Sequence, residues 1–469
     1  MKKTAFVILT LFLVISTIQA QSPWDLAQCI SYAKDHNIGL KQTTLNNQIN
    51  LNNSEQSKMS VLPSLNAAAN HQYNFGQTID RYTNSFVKSQ AVLSQNFYLS
   101  SSVVLWSGLS QYQNIKANEY NYLSGVERLK QQENDLALSI ANAYIGVIFS
   151  EELLKISQHQ YNITKEQLDR TKKLVAAGSS AKSVEYDIIS QLANEEVNVT
   201  SAENNYSLAL LNLKQLMNFD SVMNFSVARP DIQMPEALML ENSLSNIYAT
   251  ALKNQPTIKS SEYAILGAER YLMASRGRLS PTLTFNASMG TGTSGLAKKV
   301  IGYQDITQTL QTSAGPFYYT VQTPVLASMP FSEQFKNNAN KSIGFTFSMP
   351  LFNGMQTNTS IKNAKINTLN SKLSMDLAKQ NLYKSIAQAQ ANAKAALNKY
   401  KSTEASVKAA NESFFYAQQK FNAGVISAFD FNSAKNRVFA AESNMLQAKY
   451  DFVFKLKVID YYLGKPLGL

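Results

Sequence analysis

The residues equipped for proton transfer, nucleophilic attack or metal ligation are few and scattered. The 469-residue chain has three histidines, His36, His71 and His159, and one cysteine, Cys29. Imidazole or thiolate chemistry draws on several such groups held together, and these four are widely dispersed and form no metal-ligand cluster. There is no phosphate-binding loop and no nucleophile elbow. A lone cysteine also excludes an intrachain disulfide framework. The residues therefore argue against an enzyme. What stands out instead is a motif that shapes backbone, Gly424 followed by Ser427 and Asp430. Glycine lets a chain leave a helix through a left-handed residue, and Ser with Asp can cap the helix that follows. As chemistry, Asp430 is then a plain cap on a surface turn.

The elements around that turn must be long, because the chain has only 18 Gly and 11 Pro to punctuate it. The net charge of +11 is spread without a dense basic cluster, which reads as solvated helix faces and not as a nucleic-acid surface. Lys2 and Lys3, the apolar run Ala5 to Ile15 and the ending Ser16-Thr17-Ile18-Gln19-Ala20 have the order of a secretory signal, residues 1–20, with cleavage expected after Ala20. Cys29 lies too far beyond that cut to carry a lipid. Past the signal no run of about 18 apolar residues is expected to cross a bilayer as a helix.

The chain repeats one plan twice. Leu26 to Leu65 aligns with Leu244 to Leu283 at an offset of 218 residues, pairing Ala33 with Ala251 and Pro63 with Pro281. From Trp106-Ser107-Gly108 onward the offset is 246, pairing that triplet with Phe352-Asn353-Gly354, Gly178 with Gly424, and Asn218 with Gly464. The change of 28 places an insertion in the second copy, within the Gly-, Ser- and Thr-rich stretch Gly290 to Lys341, which reads as a long hairpin loop. Repeats are expected over residues 21–235 and 236–469. Each has a half-helix, a strand hairpin (64–106 and 282–352), a long helix (about 107–177 and 354–423) and a return helix (about 183–218 and 428–463).

Heptads mark the long helices. Ile140, Val147, Leu154, Tyr161, Leu168 and Val175 recur every seventh residue, as do Ile386, Ala393, Tyr400, Val407, Phe414 and Phe421. Small residues follow three places later, Ala143, Ser150, Ser157, Thr164 and Thr171 and their counterparts, a pattern that lets two helices approach closely along a supercoiled seam. By itself this fits an ordinary coiled coil. The strands add more. Leu65, Ala67, Ala69, His71, Tyr73 and Phe75 alternate with polar residues, and Leu93, Phe97, Leu99, Val103 and Leu105 fall largely on one face. Leu283, Phe285, Ala287 and Met289, then Ile343, Phe345 and Phe347, repeat the pattern. The strands are long enough to cross a bilayer at a tilt, with Tyr73, Tyr82, Phe86, Tyr98, Trp106 and Phe317 to Tyr319 as candidate interfacial aromatics. Four strands cannot close a barrel alone, so several chains must share one, unless the hairpins are soluble and pack on the helices.

This doubled pattern resembles the TolC-like outer membrane efflux family over essentially the whole mature chain. Two motifs carry the resemblance: Met349-Pro350-Leu351-Phe352-Asn353-Gly354, like the family's strand-to-helix junction, and Lys420-Phe421-Asn422-Ala423-Gly424-Val425-Ile426-Ser427-Ala428-Phe429-Asp430, like its helical tip. The resemblance implies a mainly α protein with a membrane β-barrel. Long antiparallel coiled-coil helices form a trimeric α-barrel across the periplasm, and four strands per chain contribute to a shared 12-stranded barrel. It implies an outer-membrane exit channel of a Gram-negative bacterium, without catalysis or cofactor, serving efflux or type I secretion. The partners implied are two further copies, outer-membrane lipid, a periplasmic adaptor and an inner-membrane pump. Tip residues Gly178, Ser179, Ser180, Gly424, Val425, Ile426 and Ser427 would meet the adaptor, Asp430 would form an acidic constriction, and Trp106, Gly108, Pro350, Phe352 and Gly354 would make the junctions. Where the best-known member has a gate-linking Arg and a second Asp, this chain has Ile426 and Ser433. The first tip departs further, with Ala181 for Ser and Val184 for Asp. A periplasmic adaptor with one hairpin and an envelope coiled-coil protein are the alternatives.

Overall fold

The computed structural model describes residues 23–88, 90–220, 225–230 and 243–465. The expected signal and the boundary between repeats at 235 and 236 lie outside them. The described residues form two compact units. One draws on residues up to Leu51, on Tyr120–Ile265 and on the chain from Leu369; the other on Asn52–Glu119 and Leu266–Thr368.

In chain order the first copy runs α1 (Leu26–His36), α2 (Ile38–Met59), β1 (Ser64–Asn74), β2 (Thr78–Ile79), β3 (Phe86–Val87), β4 (Val92–Trp106), α3 (Ser110–Ala176) and α4 (Lys182–Met217). The second runs α5 (Leu244–Asn254), α6 (Pro256–Gly277), β5 (Thr282–Ser294), β6 (Lys298–Thr312), β7 (Gly315–Ser328), α7 (Phe331–Asn337), β8 (Asn340–Ser348), α8 (Gln356–Asn422) and α9 (Ala428–Tyr462). Helices α3 and α8 have 67 residues each, so each is about 100 Å long at the α-helical rise of about 1.5 Å per residue. Each expected half-helix is two helices. At the first break Asn37 Oδ1 accepts from Leu40 N at 3.0 Å, starting α2 one residue after α1 ends. Gln255 stands at the matching break in copy two.

In the helical unit the heptad residues lie along the buried seam. Ile140, Val147, Thr164, Ile386 and Ala393 are fully buried, and Tyr161, Val175, Val407, Phe414 and Phe421 are half-buried. The main core gathers Ile140, Tyr144, Val147 and Ile148 of α3 with Cys29, Leu213, Met217 and Phe219. Tyr144 OH donates to the Trp24 and Ala228 carbonyls at 3.1 and 2.7 Å, and desolvation pushes its phenol above the usual range. Burial likewise pushes the Cys29 thiol up to about 12, leaving it an inert apolar side chain. Helix α3 does contain an 18-residue window of mean hydropathy 1.3, against the expectation of no such run. By length and composition it is long enough to span a bilayer, but 44% of that window is buried in the chain and α3 contributes much of the core.

In the other unit the strands form one antiparallel sheet in the order β1-β4-β5-β8. Copy one and copy two meet at β4 and β5, with Leu99 opposite Met289 and Val103 opposite Phe285. A register shift between Val104 and Trp106 sets Trp106 opposite Leu283, so the extra residue takes Leu105 out of the expected phase. One face carries Leu65, Ala67 and Ala69, then Phe97 and Leu99, then Phe285 and Met289, then Ile343, Phe345 and Phe347. The other carries Asn66, Asn70, Asn96, Ser100, Thr284, Asn286, Ser342 and Thr346. Strands β1 and β8 are exposed along nearly their whole lengths, and among the described residues neither has a second neighbour.

The expected loop at 290–341 is largely structured. Strands β6 and β7 make a two-stranded ribbon of 15 and 14 residues, and α7 follows. Phe317, Tyr318 and Tyr319 therefore belong to this ribbon and not to the ends of the four main strands, and Tyr82 and Phe86 belong to the β2–β3 connection. Gly108 enters α3 at φ +61°, where an added Cβ would lie 2.4 Å from the Gly277 carbonyl. Gly108→Ala is therefore expected to lose more stability than the roughly 1 kcal/mol of a strained backbone alone, read as a lowered unfolding midpoint against Gly146→Ala, whose site is open.

Candidate functional site: the helical tips

Both hairpin tips use one backbone device. Gly178 at φ +73° donates to Val175 O at 3.0 Å while Ser179 N donates to Leu174 O at 2.9 Å. Gly424 at φ +72° donates to Phe421 O at 3.0 Å while Val425 N donates to Lys420 O at 2.9 Å. This paired closure satisfies the carbonyls that a helix end leaves free.

The restarts differ. Ser427 Oγ accepts from Asp430 N at 3.2 Å, and the Asp430 carboxylate accepts from Ser427 N at 3.3 Å and from Ser427 Oγ at 2.7 Å, a capping box. At α4 the cap position is Ala181, which makes no side-chain bond, as the departure of this tip from the motif anticipates. Asp430 is thus bonded within its own turn, and it is exposed.

The structure brings the two tips together. Ser179 and Ser180 of the first, and Gly424, Ile426 and Ser427 of the second, line one groove of about 580 Å³. Arg170 Nη1 bridges the hairpins, donating to Asn422 Oδ1 at 3.1 Å. Phe431 stacks on Phe421 at 4.7 Å and closes the base of the second tip. Val425 and Phe429 are 70% and 80% exposed, apolar residues presented to the outside. Trp106, Gly108, Pro350, Phe352 and Gly354 lie in the sheet-bearing unit. There Gly108 and Leu109, and Gly354 and Met355, repeat the same pair of positive φ values before a long helix.

Deeper in the helical unit lies a cluster that sequence reading passed over. Lys435 of α9 is 1% exposed, and its Nζ lies 2.8 Å from Glu195 Oε1 of α4. It also donates to Thr164 Oγ1 of α3, which in turn donates to Glu195. Gln191 Nε2 adds a bond to Glu195 Oε1 at 2.9 Å. Burial holds the Lys435 ammonium below the usual lysine range, and Glu195 pulls the other way. Three helices are thereby tied through one charge pair. Thr164 is a small member of the heptad stripe, but nothing in the spacing links it to Lys435, 271 residues away.

With this geometry in view the similarities are informative. A family model described as outer membrane efflux protein matches residues 247–464, almost the whole second copy. The outer membrane protein TolC of Salmonella enteritidis is 22% identical over 454 residues, covering 94% of this chain and 82% of that protein. The outer membrane efflux protein BepC of Brucella suis is 20% identical over 357 residues, covering 75% of this chain and 68% of its own length. Among solved structures CusC superposes with a TM-score of 0.75 at 15% identity, over 95% of this chain and 93% of that one. The chain is an outer membrane efflux protein of the TolC type, and the solved structures it resembles include outer membrane channels.

The buried cluster supplies a stability test. Lys435→Met and Glu195→Gln, each stranding the other partner, are expected to cost about 3–5 kcal/mol. The double variant should recover much of that. Heat dissociation followed by far-UV circular dichroism measures it, and additive losses would show that the two groups do not act as a pair.

Proposed function

We propose that three copies of this chain form one outer-membrane exit channel, completing a 12-stranded barrel by pairing β8 of each copy with β1 of the next. The observation that carries this is the sheet itself, four bilayer-length strands with two open edges and an apolar face opposite a polar one. In lipid an unpaired edge is untenable, so closure must come from further strands. Proteins of this type are homotrimers that work with adaptor proteins and inner-membrane pumps. On this reading the apolar face meets outer-membrane lipid, the polar face lines the bore, and small molecules or proteins pass through it passively. The tips around Gly178 and Gly424 dock the adaptor, with Val425 and Phe429 as its apolar anchors, and Asp430 contributes to a cation-favouring ring.

The internal repeat specifies the inter-chain register. Carrying the β4–β5 pairing across at offsets of 246 and 218 sets Phe347 opposite Ala69, Phe345 opposite His71 and Ile343 opposite Tyr73 of the next copy. Oxidised Phe345→Cys/His71→Cys protein is expected to run as covalent dimers and trimers on denaturing gels. The pair Phe345→Cys/Gln72→Cys, on opposite faces, should not. Equal cross-linking of both pairs, or none of either, would sink this assembly.

For Asp430 the informative pair is Asp430→Ala and Asp430→Asn in planar bilayers. Asparagine keeps an acceptor for the cap but removes the charge. Loss of cation preference in both variants supports the ring. An Asn variant indistinguishable from wild type would leave Asp430 as a cap only.

A further inference from the structure

The β1–β4 connection does not stand free at the end of its hairpin. Residues 76–88 fold back and are pinned by Asp80, which is 4% exposed. Its carboxylate accepts from Tyr82 N at 2.9 Å, from Thr83 N at 2.8 Å, from Thr83 Oγ1 at 3.0 Å and from the Ser294 hydroxyl. Tyr82 OH donates to Asn96 Oδ1. Strands β2 and β3 hold the two limbs together, and Val87 of β3 and Val92 of β4 are buried.

The place where this segment sits is decided by strand register. Asn96 pairs with Gly292 and Ser94 with Ser294, and all four residues belong to the polar face of the sheet. Gly292 is the seat. A Cβ there would lie 1.8 Å from Tyr82 Oη and 2.3 Å from its Cζ, so the ring occupies the space any other side chain would take. Helix α7, by contrast, covers the apolar face. Phe335 and Phe331 pack on Phe97 at 5.6 and 6.1 Å, and Thr291 Oγ1 donates to Phe335 O at 2.6 Å.

We infer that residues 76–88 are a fixed inward-folded strap that narrows the end of the bore remote from the long helices, and that Arg81 sets its charge preference for anionic solutes. This rests on the reading of the polar face as the lining of the bore. Arg81 lies between the two anchors Asp80 and Tyr82 and is exposed. The carboxylate of Asp80 is turned away into Ser294 and the backbone of its own turn. Three straps around a threefold axis would bring three guanidinium groups to one constriction. A polyanion entering from that end would meet concentrated positive charge in a partly dehydrated mouth, where charge acts more strongly than in bulk water.

The test uses the full trimeric protein in a planar bilayer, with hexacyanoferrate added to one side at a time. Wild type is expected to show block from the strap side. Arg81→Glu should weaken that block about tenfold while leaving the block from the opposite side unchanged. Gly292→Val, which removes the seat of Tyr82, should raise single-channel conductance and weaken the same block. A conducting wild type whose strap-side block is unaltered in Arg81→Glu overturns the inference and leaves the channel intact. Because Arg81 is exposed, that result stands even if Gly292→Val fails to assemble. A wild type that forms no pore at all defeats the channel reading, and the strap with it.

Discussion

An antiparallel sheet with two open edges and an apolar face that only the short helix α7 touches, at Phe97, is an unfinished structure. Backbone N–H and C=O groups at the outer edges of β1 and β8 need partners, and in a hydrocarbon layer water supplies none. Strand number then becomes a constraint on the whole assembly. Four strands are too few to close, and the two edges belong to different copies of the internal repeat, β1 to the first and β8 to the second. The pairing already made inside the chain, β4 with β5, joins the end of one copy to the start of the next. Repetition of that contact between chains adds no new kind of interface. A duplicated chain therefore carries half of its own assembly rule within its monomer fold.

The two copies agree where geometry is shared and part where charge or solvent is handled. A left-handed residue closes a helix at Gly178, Asn218, Gly424 and Gly464, with the same pair of backbone bonds each time. Only the second tip adds a capping box, through Ser427 and Asp430, and only the second hairpin carries the β6–β7 ribbon. The first hairpin instead has the Asp80 turn. The repeat supplies a nearly symmetric scaffold, and the departures from it sit at the two ends of the elements, where a conduit would meet partners and solutes.

Much of this was legible in the sequence because it is periodic. The heptads and the two offsets located the long helices to within a few residues, since a stripe every seventh residue over ten turns admits few other readings. The ribbon was missed because Gly, Ser and Thr are dense from Gly290 to Lys341, and turn-forming residues masked Val300, Ile301, Tyr303, Phe317, Val321 and Val325. That β-branched and aromatic content was the available signal for strands. The Asp80 turn was not legible at all, because its anchors Asn96, Gly292 and Ser294 come from strands whose register fixes the contact only after folding. The same holds for Lys435, which looks like any solvated lysine until Glu195 and Thr164 are placed beside it.

The distribution of polar groups along the helical unit bears on how it could move. Around Ile140 and Tyr144 the seam is apolar and its hydroxyl is fully bonded, so separating the helices there exposes hydrocarbon without compensation. Nearer the tips the seam holds Lys435, Glu195 and Thr164, and the buried atoms Gln160 Nε2, Gln167 Nε2 and Asn432 Oδ1 have no hydrogen-bond partner among the described residues. Burying such groups costs free energy that water would return on opening. The apolar stretch is therefore the fixed part of the bundle, and the polar stretch is the part whose separation is least opposed. A charge pair at the start of the polar stretch resists separation locally while the seam beyond it stays wettable. That arrangement places the ability to part at the tip end of the hairpins, where the groove between Ser180 and Ile426 already lies open.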